Sequence, residues 1–74
     1  MAVFSYYALW KLAMRGIDRD DVELVLADPQ CDFASPTGRH CYVRTVGNRL
    51  IQVVVESFDH DQVVTAYEKS PRES

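Results

Sequence analysis

Two hydrophobic rhythms meet near Pro29. Before it, apolar side chains recur at helical spacing; after it, short runs rich in Val, Ile, Thr, Tyr and Phe alternate between turn-forming residues. Residues 3–15 are mostly good helix formers without Gly or Pro, and Gly16 follows where a left-handed C-cap would be needed. A second helix is expected from an Asp18 cap to about Ala27. Asp20 and Asp21 sit at its positive end, Ile17 can act as a staple, and Val22, Val25 and Leu26 form one apolar stripe. Asp28-Pro29 ends it.

Four strands are expected near residues 30–34, 39–46, 49–57 and 62–68. The turns between them are Ser35-Pro36-Thr37-Gly38, the two-residue Gly47-Asn48, which fits a type II′ hairpin, and Phe58-Asp59-His60-Asp61. The sum is an α+β domain, ααββββ, with two N-terminal helices packed on one face of a four-stranded antiparallel sheet. The third strand holds Leu50, Ile51, Val53, Val54 and Val55, is apolar on both faces, and should be central. Residues 1–68 make one domain; residues 69–74 lack an apolar anchor and read as a loose tail.

Composition narrows the function. The chain has 74 residues and a formal charge of −3, so a broad electrostatic grip on nucleic acid is excluded and any RNA contact must be local. A domain this small hides only about 60% of its unfolded surface, which makes a stabilising partner plausible. There is no apolar run long enough to span a membrane, and the opening Met1-Ala2-Val3-Phe4-Ser5 lacks the basic start of a signal peptide, so the expected location is the cytoplasm. Cys31 and Cys41 form no C-x-x-C pair. A hairpin over residues 30–46 would set Cys31 opposite Tyr42 and Cys41 opposite Asp32, leaving two buried free thiols on opposite faces.

Candidate chemistry lies in two places. On a helical wheel of the first helix, Ala8, Leu9, Trp10, Leu12, Ala13 and Met14 occupy nearly the whole circumference, which predicts a mostly buried helix. The remaining sector carries Tyr7, Lys11 and Arg15, at i, i+4 and i+8, either as a solvated edge or as a seat for phosphate. In the second strand, His40, Tyr42 and Arg44 share a face that should point away from the core, joined by Gln52, Val54 and Glu56 of the third strand. The fourth strand adds either Thr65 and Tyr67 or Val64 and Ala66. Such a face either meets water or moves protons, with His40 the natural acid or base. His60 between Asp59 and Asp61 reads as a turn, not a metal site. Gly-rich phosphate loops, nucleophile elbows and zinc-ligand spacings are missing, so no metal or cofactor is expected.

The stretch Phe4-Ser5-Tyr6-Tyr7-Ala8-Leu9-Trp10-Lys11-Leu12-Ala13-Met14-Arg15-Gly16-Ile17, then Asp21-Val22, Asp28-Pro29 and the closing Val63-Val64-Thr65-Ala66-Tyr67, resembles domain-of-unknown-function family 4258 over residues 4–67. The specific parts are Arg15-Gly16-Ile17 and that closing run. The family is similar to the RelE and BrnT toxins, so the resemblance implies a RelE/barnase-like fold. It also implies a metal-independent endoribonuclease of a toxin–antitoxin system, restrained by an antitoxin protein. The family's His falls on Tyr7, its first Arg on Lys11, and Arg15 matches. Taken together with the strand groups, the candidate catalytic set is Tyr7, Lys11, Arg15, His40, Thr65 and Tyr67, with Tyr42 and Arg44 binding substrate. The acidic charge and the replaced His leave a second reading open, a non-catalytic protein-binding or inhibitory module of the same fold. A homodimer paired through an edge strand is a third.

Overall fold

Ser5 decides where the first helix begins. In the computed structural model, which describes residues 2–69, its hydroxyl accepts from the Ala8 N–H at 3.1 Å, so α1 spans Tyr6–Met14. Val3–Phe4, expected inside that helix, instead form a two-residue strand, β1. The far end follows the sequence closely. Gly16 takes φ +65°, and the bonds Ile17 N–H to Leu12 O (3.0 Å) and Gly16 N–H to Ala13 O (3.3 Å) close a Schellman cap. Ile17 is buried, and α2 follows at Arg19–Ala27.

Four longer strands succeed the helices: β2 (Cys31–Ala34), β3 (His40–Val46), β4 (Arg49–Glu56) and β5 (Asp59–Lys69). The sheet order is β1-β5-β4-β3-β2, with β4 central. The architecture is therefore α+β with two helices and a five-stranded sheet, β-α-α-β-β-β-β. The expected four-stranded, wholly antiparallel sheet is corrected by β1, which runs parallel to β5 through Val3↔Gln62 and Phe4↔Val63. Two residues at a chain start are too few for periodicity to register.

Gly47, at φ +66°, and Asn48 make the expected tight turn, closed by the pair Val46↔Arg49. The last turn is shorter than expected. Ser57 and Phe58 alone make it, and Glu56 pairs with Asp59, so Asp59, His60 and Asp61 belong to β5. The ladder between β4 and β5 breaks its register around Val55, and the extra residues of β5 form a bulge. Lys69, expected in the tail, ends β5, while 70–74 lie outside the described residues.

The register also corrects two face assignments. The loop between β2 and β3 holds residues 35–39, one more than expected, so Cys31 opposes Val43 and Phe33 opposes Cys41. Both sulfurs thus share a face; Cys41 is buried and Cys31 exposed, and both are free. On β3, Tyr42 pairs with Val53, His40 with Val55 and Arg44 with Ile51. Those three β4 residues are fully buried in the core with Ala8, Leu12, Val22 and Val25. His40, Tyr42 and Arg44 therefore share the helix-covered face, not the opposite one, and Tyr42 packs against the core. Long polar side chains tolerate that face because their tips reach its margin while their stems add apolar contact.

α1 packs over β5, and α2 over β3 and β4. With β5 near the outer edge, only one side of α1 meets the sheet. Ala8 and Leu12 are its buried residues, whereas Tyr6, Tyr7, Trp10 and Met14 are exposed. The expectation of a mostly buried first helix is thus corrected: the domain has no second layer to cover the helix's outside.

Candidate functional site

The first polar cluster forms where α1 ends against β5. Arg15 is the C-cap of α1, and its Nη1 donates to Thr65 Oγ1 at 2.9 Å and to Ala66 O at 3.0 Å. The guanidinium lies 5.8 Å from the Tyr67 ring centre. Thr65 and Tyr67 pair with Val54 and Gln52, so they occupy the face the helices leave uncovered, and Arg15 reaches them past the outer edge of β5. β1 shields that edge only opposite Gln62 and Val63. Gln52, 4% exposed, donates from Nε2 to Tyr67 Oη at 2.8 Å, which leaves the phenol's own proton for another acceptor. The Gln52 Oε1 is buried without a partner.

Arg49 locks this corner. It donates to Gly16 O (2.9 Å) and Arg15 O (3.3 Å) and pairs with Glu68 at 3.2 Å, which satisfies the end of the helix and fixes the Arg15 backbone. Among the described residues, neither Arg15 nor Lys11 has a carboxylate partner, so the corner carries uncompensated positive charge on a chain of net charge −3. Among the described residues, no acceptor takes the Arg15 Nε or Nη2 donors.

The α1 stripe does not act as one unit. Lys11 Nζ lies 5.6 Å from the Tyr7 ring centre and 5.3 Å from that of Trp10, so Tyr7 and Lys11 gather around Trp10 while Arg15 turns to β5.

The second cluster stands on the other face. His40 Nε2 and Asp32 Oδ2 are 2.6 Å apart, and so are Tyr42 Oη and His60 Nδ1. The two imidazoles stack at 4.8 Å and 17°, with the Tyr42 ring 5.0 Å from His40. Asp32 pairs with Tyr42 and lies diagonally across the β2–β3 ladder from His40 on the same face, and the β5 bulge brings His60 across β4. Burial, and then the Asp32 carboxylate, push the Tyr42 phenol above its usual 10.0. The neutral phenol can donate to His60 Nδ1. Arg44, also expected to bind substrate, gives Nη1 to Asp28 O at 3.0 Å and pairs with Asp28 Oδ2 at 3.2 Å, tying the end of α2 to β3.

The residues singled out in the sequence thus fall into two sites. Arg15, Thr65 and Tyr67 come together; His40 and Tyr42 come together elsewhere; Tyr7 and Lys11 join neither. Three participants carried no sequence signal strong enough to find them. The sequence reads Gln52 as part of the polar face of His40 and not as the partner of Tyr67, Asp32 as a strand residue with no role, and His60 as part of a turn. Only the register and the bulge bring them in. Among the described residues no group of three or more His, Cys, Asp or Glu is arranged to hold a metal ion, and no helix is long and apolar enough to cross a membrane.

These features define a small α+β domain with one cationic, hydroxyl-lined strand edge and one internally paired imidazole cluster. The chain belongs to the family described as a domain of unknown function, DUF4258, whose model matches residues 4–68. No curated protein and no solved structure matches it.

Proposed function

We propose that this domain is a toxin-like endoribonuclease that cleaves RNA without a metal at the α1–β5 edge, and that an antitoxin protein neutralises it. One observation carries the reading: Arg15, at a position matching the family's Arg, reaches across 50 residues of sequence to Thr65 and Tyr67 of the family's closing run. Its free Nε and Nη2 suit a phosphate oxygen, and Lys11 on the same helix adds positive charge. In cleavage, the 2′-oxygen attacks phosphorus, its proton leaves to water, and the bond to the 5′-oxygen breaks. Arg15 stabilises charge on the phosphorus oxygens, and Tyr67, oriented by Gln52, protonates the departing 5′-oxygen and is reprotonated by solvent. His40 lies on the far face and takes no part.

A second reading is favoured by Tyr7. It stands where the family has His, yet it turns toward Trp10 and leaves no imidazole beside Arg15. On that reading the edge binds its partner without cutting RNA. Purified protein with labelled RNA in EDTA separates the two. Cleavage by wild type, reduced about 100-fold in Arg15→Ala and at least about 10-fold in Tyr67→Phe, supports the enzyme. Intact RNA with wild type, or equal cleavage by all three proteins, removes it.

A further inference from the structure

The outside of α1 is unusual for a small acidic domain. Tyr7 and Trp10 are each 56% exposed, with Met14 62% and Tyr6 92% exposed beside them. Isolated surface aromatics are ordinary, but four large side chains on one exposed helix side form a patch that calls for a ligand. The Tyr7 and Trp10 ring centres are 6.2 Å apart and their planes are tilted by 49°, so neither ring covers the other. Lys11 Nζ sits over one face of each ring, 5.6 Å from the Tyr7 centre and 5.3 Å from that of Trp10, and α1, Tyr6–Met14, contains no acidic residue. From Tyr7 to Arg15 the line runs about 12 Å along the helix axis.

We propose that this outer face of α1 is a base-stacking platform for single-stranded RNA, in which Tyr7 and Trp10 receive bases while Lys11 and Arg15 meet the phosphates. The inference rests on the reading of Arg15 as a phosphate-binding residue and extends it to the form of RNA that is bound. Aromatic rings stack bases of any sequence, and cations beside them follow the backbone; that combination suits single strands, whose bases are free to splay. A duplex hides its bases and meets the patch only through phosphates. An acidic protein segment would satisfy Lys11 and Arg15 too, but it offers no flat π-face to two tilted rings. Charge also decides locally: Lys11 and Arg15 lack carboxylate partners among the described residues, so an anionic ligand displaces no ion pair there.

Trp10 is the only tryptophan in the chain, so its fluorescence reports on this surface alone. The probe is a single-stranded 2′-O-methyl oligoadenylate, which cannot be cut through a 2′-hydroxyl. Saturable quenching of Trp10 is expected, with no quenching by inorganic polyphosphate, a blunt duplex or polyglutamate. Tyr7→Ala should weaken binding about 5-fold or more. Trp10→Leu, followed by anisotropy of the labelled oligonucleotide, should weaken it similarly, whereas Trp10→Phe should keep most of the affinity. An unquenched Trp10, unchanged affinity in Tyr7→Ala and Trp10→Leu, or equal quenching by polyphosphate would overturn the proposal. Tighter binding of polyglutamate would assign the patch to an acidic protein and overturn it as well. Because the probe is not a substrate, the two readings fail separately. Arg15-dependent cleavage with an unquenched Trp10 removes only the platform, and quenching without cleavage removes only the enzyme.

Discussion

The two polar clusters invite opposite conclusions on composition and on geometry. The cluster of Asp32, His40, Tyr42 and His60 has the richer acid–base chemistry, with two imidazoles, a phenol and a carboxylate in mutual contact. Its groups, however, engage one another. Each ring nitrogen in a hydrogen bond is taken by Asp32 or Tyr42, and the stacked rings leave no gap for a phosphate between them. Those bonds join β2 to β3 and span β4 to the start of β5, which is a structural task. The α1–β5 corner is chemically poorer, yet among the described residues it holds Arg15 with spare donors and a phenol that accepts from Gln52 and donates to no acceptor. A fixed positive charge with spare donors, more than the number of titratable groups, marks where an anionic ligand can bind.

Substitutions test that contrast most directly. Arg15→Ala should lower RNA cleavage about 100-fold, while Asp32→Asn leaves cleavage within about 2-fold of wild type. Equal losses in both would merge the clusters into one function. Stability should behave in the reverse sense. His60→Ala removes the Tyr42 bond and the stack with His40, and should cost about 1–2 kcal/mol in urea unfolding, against less than about 1 kcal/mol for Lys11→Ala on the exposed helix side.

A smaller effect comes from pH. The folded state holds the Tyr42 proton more tightly than the unfolded chain does, so this contribution is complete below the ordinary phenol value of 10.0 and is lost as pH rises through the raised folded value. Urea midpoints measured from about pH 8 to about pH 11 should therefore fall less steeply on the alkaline side in Tyr42→Phe than in wild type. The smallest change is expected at Gln52. Gln52→Leu loses the bond to Tyr67 but also removes a buried acceptor without a partner, and unfolding free energy should move by less than about 1 kcal/mol in either direction. On the proposed function, cleavage by Gln52→Leu should nevertheless fall, because Tyr67 is then no longer oriented.

Much of this architecture can be read from local chemistry. Gly16 and Ile17 announce the Schellman cap, Asp28-Pro29 stops α2, and Gly47-Asn48 fixes the β3–β4 register, because each acts through its immediate neighbours. What escapes the sequence is set at a distance. β1 exists only because β5 offers an edge to Val3 and Phe4, and the shared face of Cys31 and Cys41 depends on a loop one residue longer than expected. The grouping of Arg15 with Thr65 and Tyr67 was accessible because Arg15 and the closing run are the family-like parts of the chain. Gln52 and His60 were not, since a buried amide and a bulge leave no periodic trace.

The brevity of β1 has one further consequence. Among the described residues, no strand pairs with the outer side of β5 beyond Val63, and the Arg15 guanidinium occupies the Ala66 carbonyl there. A ligand that draws this guanidinium away would free the Ala66 carbonyl on an edge that is already open to strand addition past Val63. An unpaired strand edge accepts a further strand, so the protein at high concentration should run larger on a sizing column when Arg15 is replaced by Ala than as wild type.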